Sequence, residues 1–374
     1  MDALSAFPAF RRACIADQAA VALRRAIGQG LWSSILPGEY ELARRLGISR
    51  PSVHTALSEL ARDGLVAISK GRRARVLANH QLVRPPPTVC VVRSASREML
   101  GPAEHPVLLA MRAELAIQGV GWEEVLDARL SGKSPGHYLD QIVEGRRHMC
   151  WMMLIASEAV QGWFAAAGLP AMVLGSCFPG VRLPSVDVNY RAIGWHAASC
   201  ISRLGHRHVA FVLPADLAPG DSACREGAGQ YLRKSGTPIS ITDVVAGNSA
   251  PDVQAKLDRI LTDRSRPTVI MTTRPSHTQS VLVHLLRSGL RIPEDISLVA
   301  RDTDPLFELG TPELTRYRST VAKQAHRAAE VARALLAGHP VSSKPVLITP
   351  TFIAGKTLAR PPDLLAVPQA PSAA

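Results

Sequence analysis

The sequence predicts a mixed α/β chain in two parts: a small helical unit ending in a hairpin, then a larger two-lobed domain built on parallel sheets. Three observations carry this. Residues 36–66 hold two short helical patterns joined by Gly47-Ile48-Ser49, and a basic hairpin pattern follows directly. Three consecutive prolines, Pro85 to Pro87, then interrupt the chain, and neither a helix interior nor a sheet interior accommodates them. From Thr88 to about residue 355, apolar strand-like runs alternate with helical stretches, as parallel strands covered on both faces require.

The first helix is predicted over 17–30, with Ala19, Leu23, Ala26 and Ile27 on one side and Trp32, Ile35 and Leu36 following as core. Gly47 supplies a sharp turn, Ile48 an apolar pin between two helices, and Ser49 a strong N-cap. Pro51 falls in the next helix's first turn, where its missing N–H costs nothing. Val53, Ala56, Leu57 and Leu60 then make one apolar face. The other face carries Arg50, Ser52, His54 and Thr55. In helix-turn-helix proteins the first residues of the second helix reach base edges in the major groove. An Arg there can bond guanine O6 and N7 together, and Ser or Thr can reach bases or phosphates. Strand patterns at 66–69 and 73–77, with Lys70, Gly71 and Arg72 between them, place a wing beside that helix. The candidate DNA-binding set is Arg44, Ser49, Arg50, Ser52, His54, Thr55, Lys70, Gly71 and Arg72. Arg44, on the helix before the turn, is placed for phosphate contact or for ordinary solvation.

This segment resembles a GntR-type winged helix-turn-helix. The matching residues are Leu36-Pro37-Gly38-Glu39, Leu42-Ala43, Ser49-Arg50, Ser52-Val53-His54 and Ala56-Leu57. The resemblance implies a DNA-binding fold over residues 16–77. The chain departs from the family at Tyr40 and His54, where Arg is usual, so the family's usual operator sequence does not transfer.

Charge supports the division. The net charge is +12, and residues 1–84 hold 13 Lys or Arg against 6 Asp or Glu, a net of +7 that leaves +5 for the remaining 290 residues. A basic end on the proposed DNA reader is what phosphate binding demands. The six cysteines have neither CxxC nor metal-type spacing and read as reduced thiols of a cytoplasmic protein. No run is long enough to span a membrane, and the N-terminus lacks a secretory apolar core. No metal site and no cofactor is expected.

In the second part, strands are predicted over 89–93, 123–128, 150–155, 171–174, 209–213, 241–245, 268–272 and 297–300. Helices are predicted over 108–118, 159–167, 195–203, 223–233, 253–261, 279–287 and 321–336. So many units exceed one comfortable sheet, which favours two lobes. The expected organisation is a reader at 1–80, a linker at 81–87, the two-lobed domain at 88–360 and a Pro- and Ala-rich tail at 361–374.

Residues 88–355 resemble the LacI/GalR effector domain, itself similar to periplasmic binding proteins. The strings that carry this are Val188-Asn189-Tyr190 with Gly194, Leu204-Gly205-His206-Arg207-His208-Val209, Arg266-Pro267-Thr268-Val269, Gly289 through Ser297 (GLRIPEDIS) and Leu314-Thr315. The resemblance implies a periplasmic-binding-protein-like fold, a homodimer, and a small-molecule effector, a sugar or an anionic sugar derivative, held between the lobes. It places Asp302, just past the strand at 297–300, at the position of a carboxylate that grips sugar hydroxyls. Arg274 stands where Asn-Asp is usual, and Arg225 lies near an Arg-x-x-Gly position with the spacing one residue short. With Arg93 at the end of the first strand and Asn189 at the crossover, the candidate effector set is Arg93, Asn189, Arg225, Arg274 and Asp302. Each has a plain structural alternative: Asp302 pairing with Arg301 or Arg274, Asn189 serving as a hinge or dimer residue.

Together these features describe a DNA-binding regulator, most simply a repressor, whose operator affinity a small molecule controls. An α/β enzyme with a nucleic-acid-binding appendage is the opposing class, but GxSxG, a Walker loop and GxGxxG after the first strand are all missing.

Overall fold

Residues 15–361 are described by the structure, a computed structural model, except 29–30, 33, 70, 78–85, 95–104, 133, 147–148, 263–264 and 303. The chain divides into two units, 1–87 and 88–374.

In the first unit, α1 (Ile15–Gly28), α2 (Glu39–Leu46) and α3 (Arg50–Arg62) precede a hairpin of β1 (Val66–Ala67) and β2 (Arg75–Val76). The strands pair antiparallel, Val66 opposite Val76. The predicted apolar face of α3 is buried in full, and Leu23, Ile27, Leu36 and Leu42 close over it. One expectation fails. Ile35 is 55% exposed, because its backbone bridges to Arg75 as a third short strand and turns its side chain outward. Gly71 takes φ 74 at the wing tip, a conformation that L side chains rarely adopt. Lys70 lies outside the described residues.

The second unit holds two six-stranded sheets. The first lobe contains β3 (Thr88–Ser94), β4 (Gly121–Asp127), β5 (Cys150–Leu154), β6 (Ala171–Leu174), β7 (Ser185–Val188) and β13 (Val346–Ile348), in the order β13-β7-β6-β5-β3-β4. All its pairings are parallel. Alternation along the strands sends Val89, Val91 and Met152 toward α4 (Pro106–Ile117) and α11 (Val321–Leu336). The alternate residues Cys90, Val92, Trp151 and Met153 meet α5 (Gly136–Val143) and α6 (Glu158–Ala167).

The second lobe contains β8 (His208–Pro214), β9 (Ser240–Ala246), β10 (Val269–Thr272), β11 (Ser297–Ala300), β12 (Thr315–Arg318) and β14 (Thr351–Ile353), in the order β14-β12-β11-β10-β8-β9. Here the expectation of purely parallel sheets needs one correction, since β12 and β14 pair antiparallel. Val209, Phe211 and Met271 pack on α7 (Tyr190–Arg203) and α8 (Pro219–Ser235). Ala210, Val212 and Ile270 pack on α9 (Ala250–Leu261) and α10 (Pro275–Arg287).

The chain passes between lobes three times: from β7 into α7, from β12 into α11, and from β13 into β14. The first and third crossovers are tied where Asn189 N–H donates to the Ile348 carbonyl at 2.9 Å. Among the described residues, no helix is long and apolar enough to cross a membrane.

Two glycines set the approach of α7 to α8. A Cβ at Gly194 would lie 1.8 Å from the Cys224 carbonyl oxygen, and one at Gly227 would lie 2.1 Å from that of Arg191. The obstacle in each case is backbone, which cannot rotate away. Gly194→Ala or Gly227→Ala is therefore expected to lower stability by about 3 kcal/mol, the upper end of overpacking costs. Gly162, inside α6 with open space at its Cβ position, is expected to gain roughly 0.5–1 kcal/mol as Ala. Urea titration of the three variants checks both signs.

Candidate functional site

The DNA-facing candidates are built by the turn between α2 and α3. Gly47 ends α2 at φ 65 in the left-handed region, and Ser49 then caps α3 by accepting from Ser52 N–H at 3.2 Å. The hydroxyls of Ser49 and Ser52 are themselves bonded at 2.8 Å, and Thr55 donates its hydroxyl to the Pro51 carbonyl at 3.0 Å. The Thr55 hydroxyl and one of the two serine hydroxyls are thus committed to the helix start, which leaves one serine O–H and the oxygen lone pairs for a partner. Arg50 and His54 differ: their side chains are 70% and 61% exposed. Both converge on Glu39, the first residue of α2. Arg50 Nε donates to one Glu39 oxygen at 3.2 Å and His54 Nδ1 lies 2.8 Å from the other. The His54 hydrogen bond, above all, holds the Glu39 carboxyl below the usual carboxylate range; burial opposes it and the Arg50 hydrogen bond adds to it. Arg44 is exposed on α2 and has no ion-pair partner among the described residues, whereas Arg45 is paired with Glu41 at 2.6 Å. Arg72 and Gly71 are exposed on the wing. Glu39 was visible in the sequence only as part of the LPGE string; its partners lie 11 and 15 residues downstream, and only the angle between α2 and α3 joins them.

The ligand candidates lie at C-terminal strand ends, where open parallel sheets place their sites. The centre of this group is Arg301, directly after β11 and 6% exposed. Its Nη1 donates to Asp221 at 2.6 Å, while Nε and Nη2 grip the two oxygens of Asp302 at 3.2 and 2.7 Å. The Tyr190 ring lies under the guanidinium at 4.3 Å. Asp221, 2% exposed in the first turn of α8, also accepts from Arg274 at 3.2 Å and from Ala218 N–H at 3.0 Å. Arg274 reaches on to the Asp216 carbonyl and carboxylate. Thus Asp302 and Arg274 share one network but do not touch: Asp302 pairs with Arg301, and Arg274 pairs with Asp221.

The remaining candidates separate from this network. Asn189 spends its side chain as the cap of α7, accepting from Ala192 N–H at 3.0 Å. Arg225 is directed to Asp243, mid-strand on edge strand β9, at 2.5 Å. Arg93 is at the correct strand end in the first lobe but lies 3.9 Å from Glu124.

Two unexpected residues border the same strand ends. Ile155, just past β5, is 49% exposed at φ 52. A β-branched residue at positive φ is strained, and such strain collects at binding sites. Asp187, on β7, is 5% exposed and bonded by the Ser176 hydroxyl and by Val188 N–H at 2.7 Å. Burial raises its carboxyl to about 6, the two hydrogen bonds and Arg301 opposing that rise. Unfolded, this carboxyl would titrate near 3.8. Stability from this group is therefore complete below the lower value and falls by roughly 3 kcal/mol as pH rises through the higher one. Asp187→Asn is expected to match the wild type near pH 4 and to exceed it by a similar amount at pH 7.5. Chemical denaturation at the two pH values measures this; equal stability at both would remove the burial penalty assigned to Asp187.

Comparison with known proteins follows the same division. Residues 15–76 match the model for bacterial regulatory proteins of the gntR family, and residues 198–358 match the periplasmic binding protein-like domain. Catabolite control protein A of Priestia megaterium is 25% identical over 150 residues, 39% of this chain. The chain spans about half the length of that relative, 45%. The transcriptional regulator CelR of Thermobifida fusca is 24% identical over 303 residues, 79% of this chain and 84% of CelR. A putative LacI transcriptional regulator from Bacillus cereus subsp. cytotoxis shares the fold at a TM-score of 0.64 and 17% identity, covering 74% of this chain and 99% of that one. The chain thus joins a domain matching the gntR-family model to a periplasmic-binding-protein-like domain whose fold a LacI-type regulator shares.

Proposed function

We propose that this chain is a sequence-specific transcription regulator, a repressor working in the cytoplasm as a homodimer, whose hold on an operator is set by a small molecule bound at the strand ends of the second unit. The reader occupies 1–80, the linker 81–87, the effector domain 88–360 and the tail 361–374. The observation that carries this reading is the presence, in one chain, of an exposed Arg50 and His54 on a capped second helix beside a basic wing, and of a polar network at the strand ends of a two-lobed α/β domain. An enzyme has no comparable support: the network's charges are bonded to one another, and the relatives are regulators.

The network refines the ligand class. Arg301 and Arg274 already hold carboxylates. An anionic ligand would have to displace Asp302 or Asp216 first, whereas a neutral sugar can donate hydroxyls to Asp302, which keeps 27% of its side chain exposed. That favours the uncharged polyol over the phosphorylated one. Arg93, Asn189 and Arg225 remain weaker members of the set, since each has a partner of its own.

In gel-shift titrations on an operator recovered from genomic footprints, Arg50→Ala is expected to weaken specific binding by about 1–3 kcal/mol and relax one base position. Arg44→Ala should instead weaken all sequences alike and flatten the salt dependence. Asp302→Ala should remove the ligand's effect on operator affinity. Unchanged base preference in Arg50→Ala, or a full ligand response in Asp302→Ala, would refute the corresponding assignment.

The dimer has its own support. On α10 and the turn that follows β11, Val283, Leu286, Leu306 and Leu309 are exposed, the last at 82%. Of these, Leu306 lines a surface hollow of about 380 Å³ together with Pro275, Gln279, Leu282 and Phe307. Exposed apolar side chains on these two neighbouring segments suit a self-complementary contact. Leu286→Glu with Leu309→Glu is expected to shift the full chain toward monomer in sedimentation; an unchanged dimer would place the contact elsewhere.

A further inference from the structure

Glu39 holds one ring nitrogen of His54 and thereby sets the character of the other. A carboxylate only accepts hydrogen bonds, so the 2.8 Å contact from His54 Nδ1 to Glu39 puts the proton on Nδ1. The Glu39 carboxyl stays ionised at neutral pH, because His54 and Arg50 both hold its negative form. In the neutral imidazole Nε2 is then an acceptor, and among the described residues nothing bonds it. The other Glu39 oxygen takes Arg50 through Nε. That leaves both terminal nitrogens of Arg50 as a donor fork, the shape that matches guanine O6 and N7. Glu39 is well placed for this: it is the first residue of α2, where a negative charge suits the helix dipole, and buried Leu42 anchors the same helix.

We propose that Glu39 is a positioning residue that makes this helix read two different kinds of base. Arg50 takes a guanine. His54, held as an Nε2 acceptor, takes a base that offers an amino donor in the major groove, cytosine N4 or adenine N6. A lone arginine at position 54 would be a donor and would favour guanine there, so the Glu39–His54 pair reverses the hydrogen-bond polarity at one base position. This rests on the proposed function of the first unit as a DNA reader.

The test selects binding sites for the full-length chain from a random duplex DNA library at pH 8. It does so for the wild type and for Glu39→Ala, His54→Ala, His54→Arg and the Glu39→Ala/His54→Ala double variant. Wild-type sites should show guanine at one position and cytosine or adenine, favoured about three- to tenfold, at another. Glu39→Ala should flatten the second position and weaken preference at the first. Its affinity for unselected DNA should hold or rise, because a negative charge has left the DNA face; mere damage to the fold would lower it. His54→Ala should flatten the second position alone, and the double variant should lose no more there than either single one, as coupled residues do. His54→Arg should convert that position to guanine. Wild-type guanine at both positions, or unchanged base frequencies in Glu39→Ala, would overturn the role of Glu39 while leaving DNA reading intact. Enrichment at no position would overturn the DNA reader and this proposal together.

Discussion

The second unit depends on neutralising one buried guanidinium. Arg301 leaves β11 with almost no contact to solvent, and removing such a charge from water costs several kcal/mol before any partner is counted. Its two carboxylates come from opposite directions in the chain: Asp302 is its neighbour, and Asp221 lies 80 residues earlier on α8. Because Asp221 is buried as well, neither charge can be lost alone. Taking away one partner of such a pair strands the other at a cost of about 3–5 kcal/mol. The network therefore fixes where α8, β11 and the start of α10 stand relative to one another more firmly than it adds to net stability. By contrast Arg225–Asp243 and Arg291–Asp295 have partly exposed partners, and pairs of that type contribute only about 0–1 kcal/mol.

The first unit solves the opposite problem. Its ionic cluster of Glu39, Arg50 and His54 is open to solvent, so it is weak as a stabiliser and easily rearranged. What it supplies is orientation. A side chain held at one nitrogen presents the other in a fixed direction, so fewer rotamers would be lost on meeting a polar partner. The buried network makes a rigid support; the exposed one prepares a surface for an incoming polar partner.

How much of this the sequence reveals follows from where each residue's partner sits. Local chemistry was legible: the Ser49 cap, the Gly47 turn, the apolar face of α3, and strands such as β6 and β11, whose residues are all apolar or small and all buried. Strands β7 and β12 escaped notice for a physical reason. Ser-Val-Asp-Val and Thr-Arg-Tyr-Arg place Ser185, Asp187, Thr315 and Arg316 in the interior, and polar residues at buried positions hide the hydrophobic signal that marks a strand. Helix α5 is only eight residues long and has no side-chain cap, so it lacks a start signal. In the site, Asp302 stood out because its position follows a recognisable strand. Asp221 did not, since nothing near it in sequence announces a salt bridge to β10 and β11.

Tyr190 links the ligand candidates to the path between lobes. It is the first residue of α7, directly after the β7 crossover, and its ring is wedged between Arg301 and Gly220, where a Cβ on the glycine would come within 2.7 Å of the ring. The preceding residue, Asn189, caps α7 with its side chain and ties to the β13 end with its backbone. A group that pulled on Asp302 would thus load Arg301, then the Tyr190 ring, then a crossover already fastened to another crossover. Few atoms separate Asp302 from the crossover, and each step is a packed or hydrogen-bonded contact. A ligand shifts a two-state protein only by the difference in its affinity for the two states. With the proposed grip one residue from Arg301, and Arg301 stacked on the tyrosine at the crossover, such a difference would have a short mechanical route from the strand ends to the path between lobes.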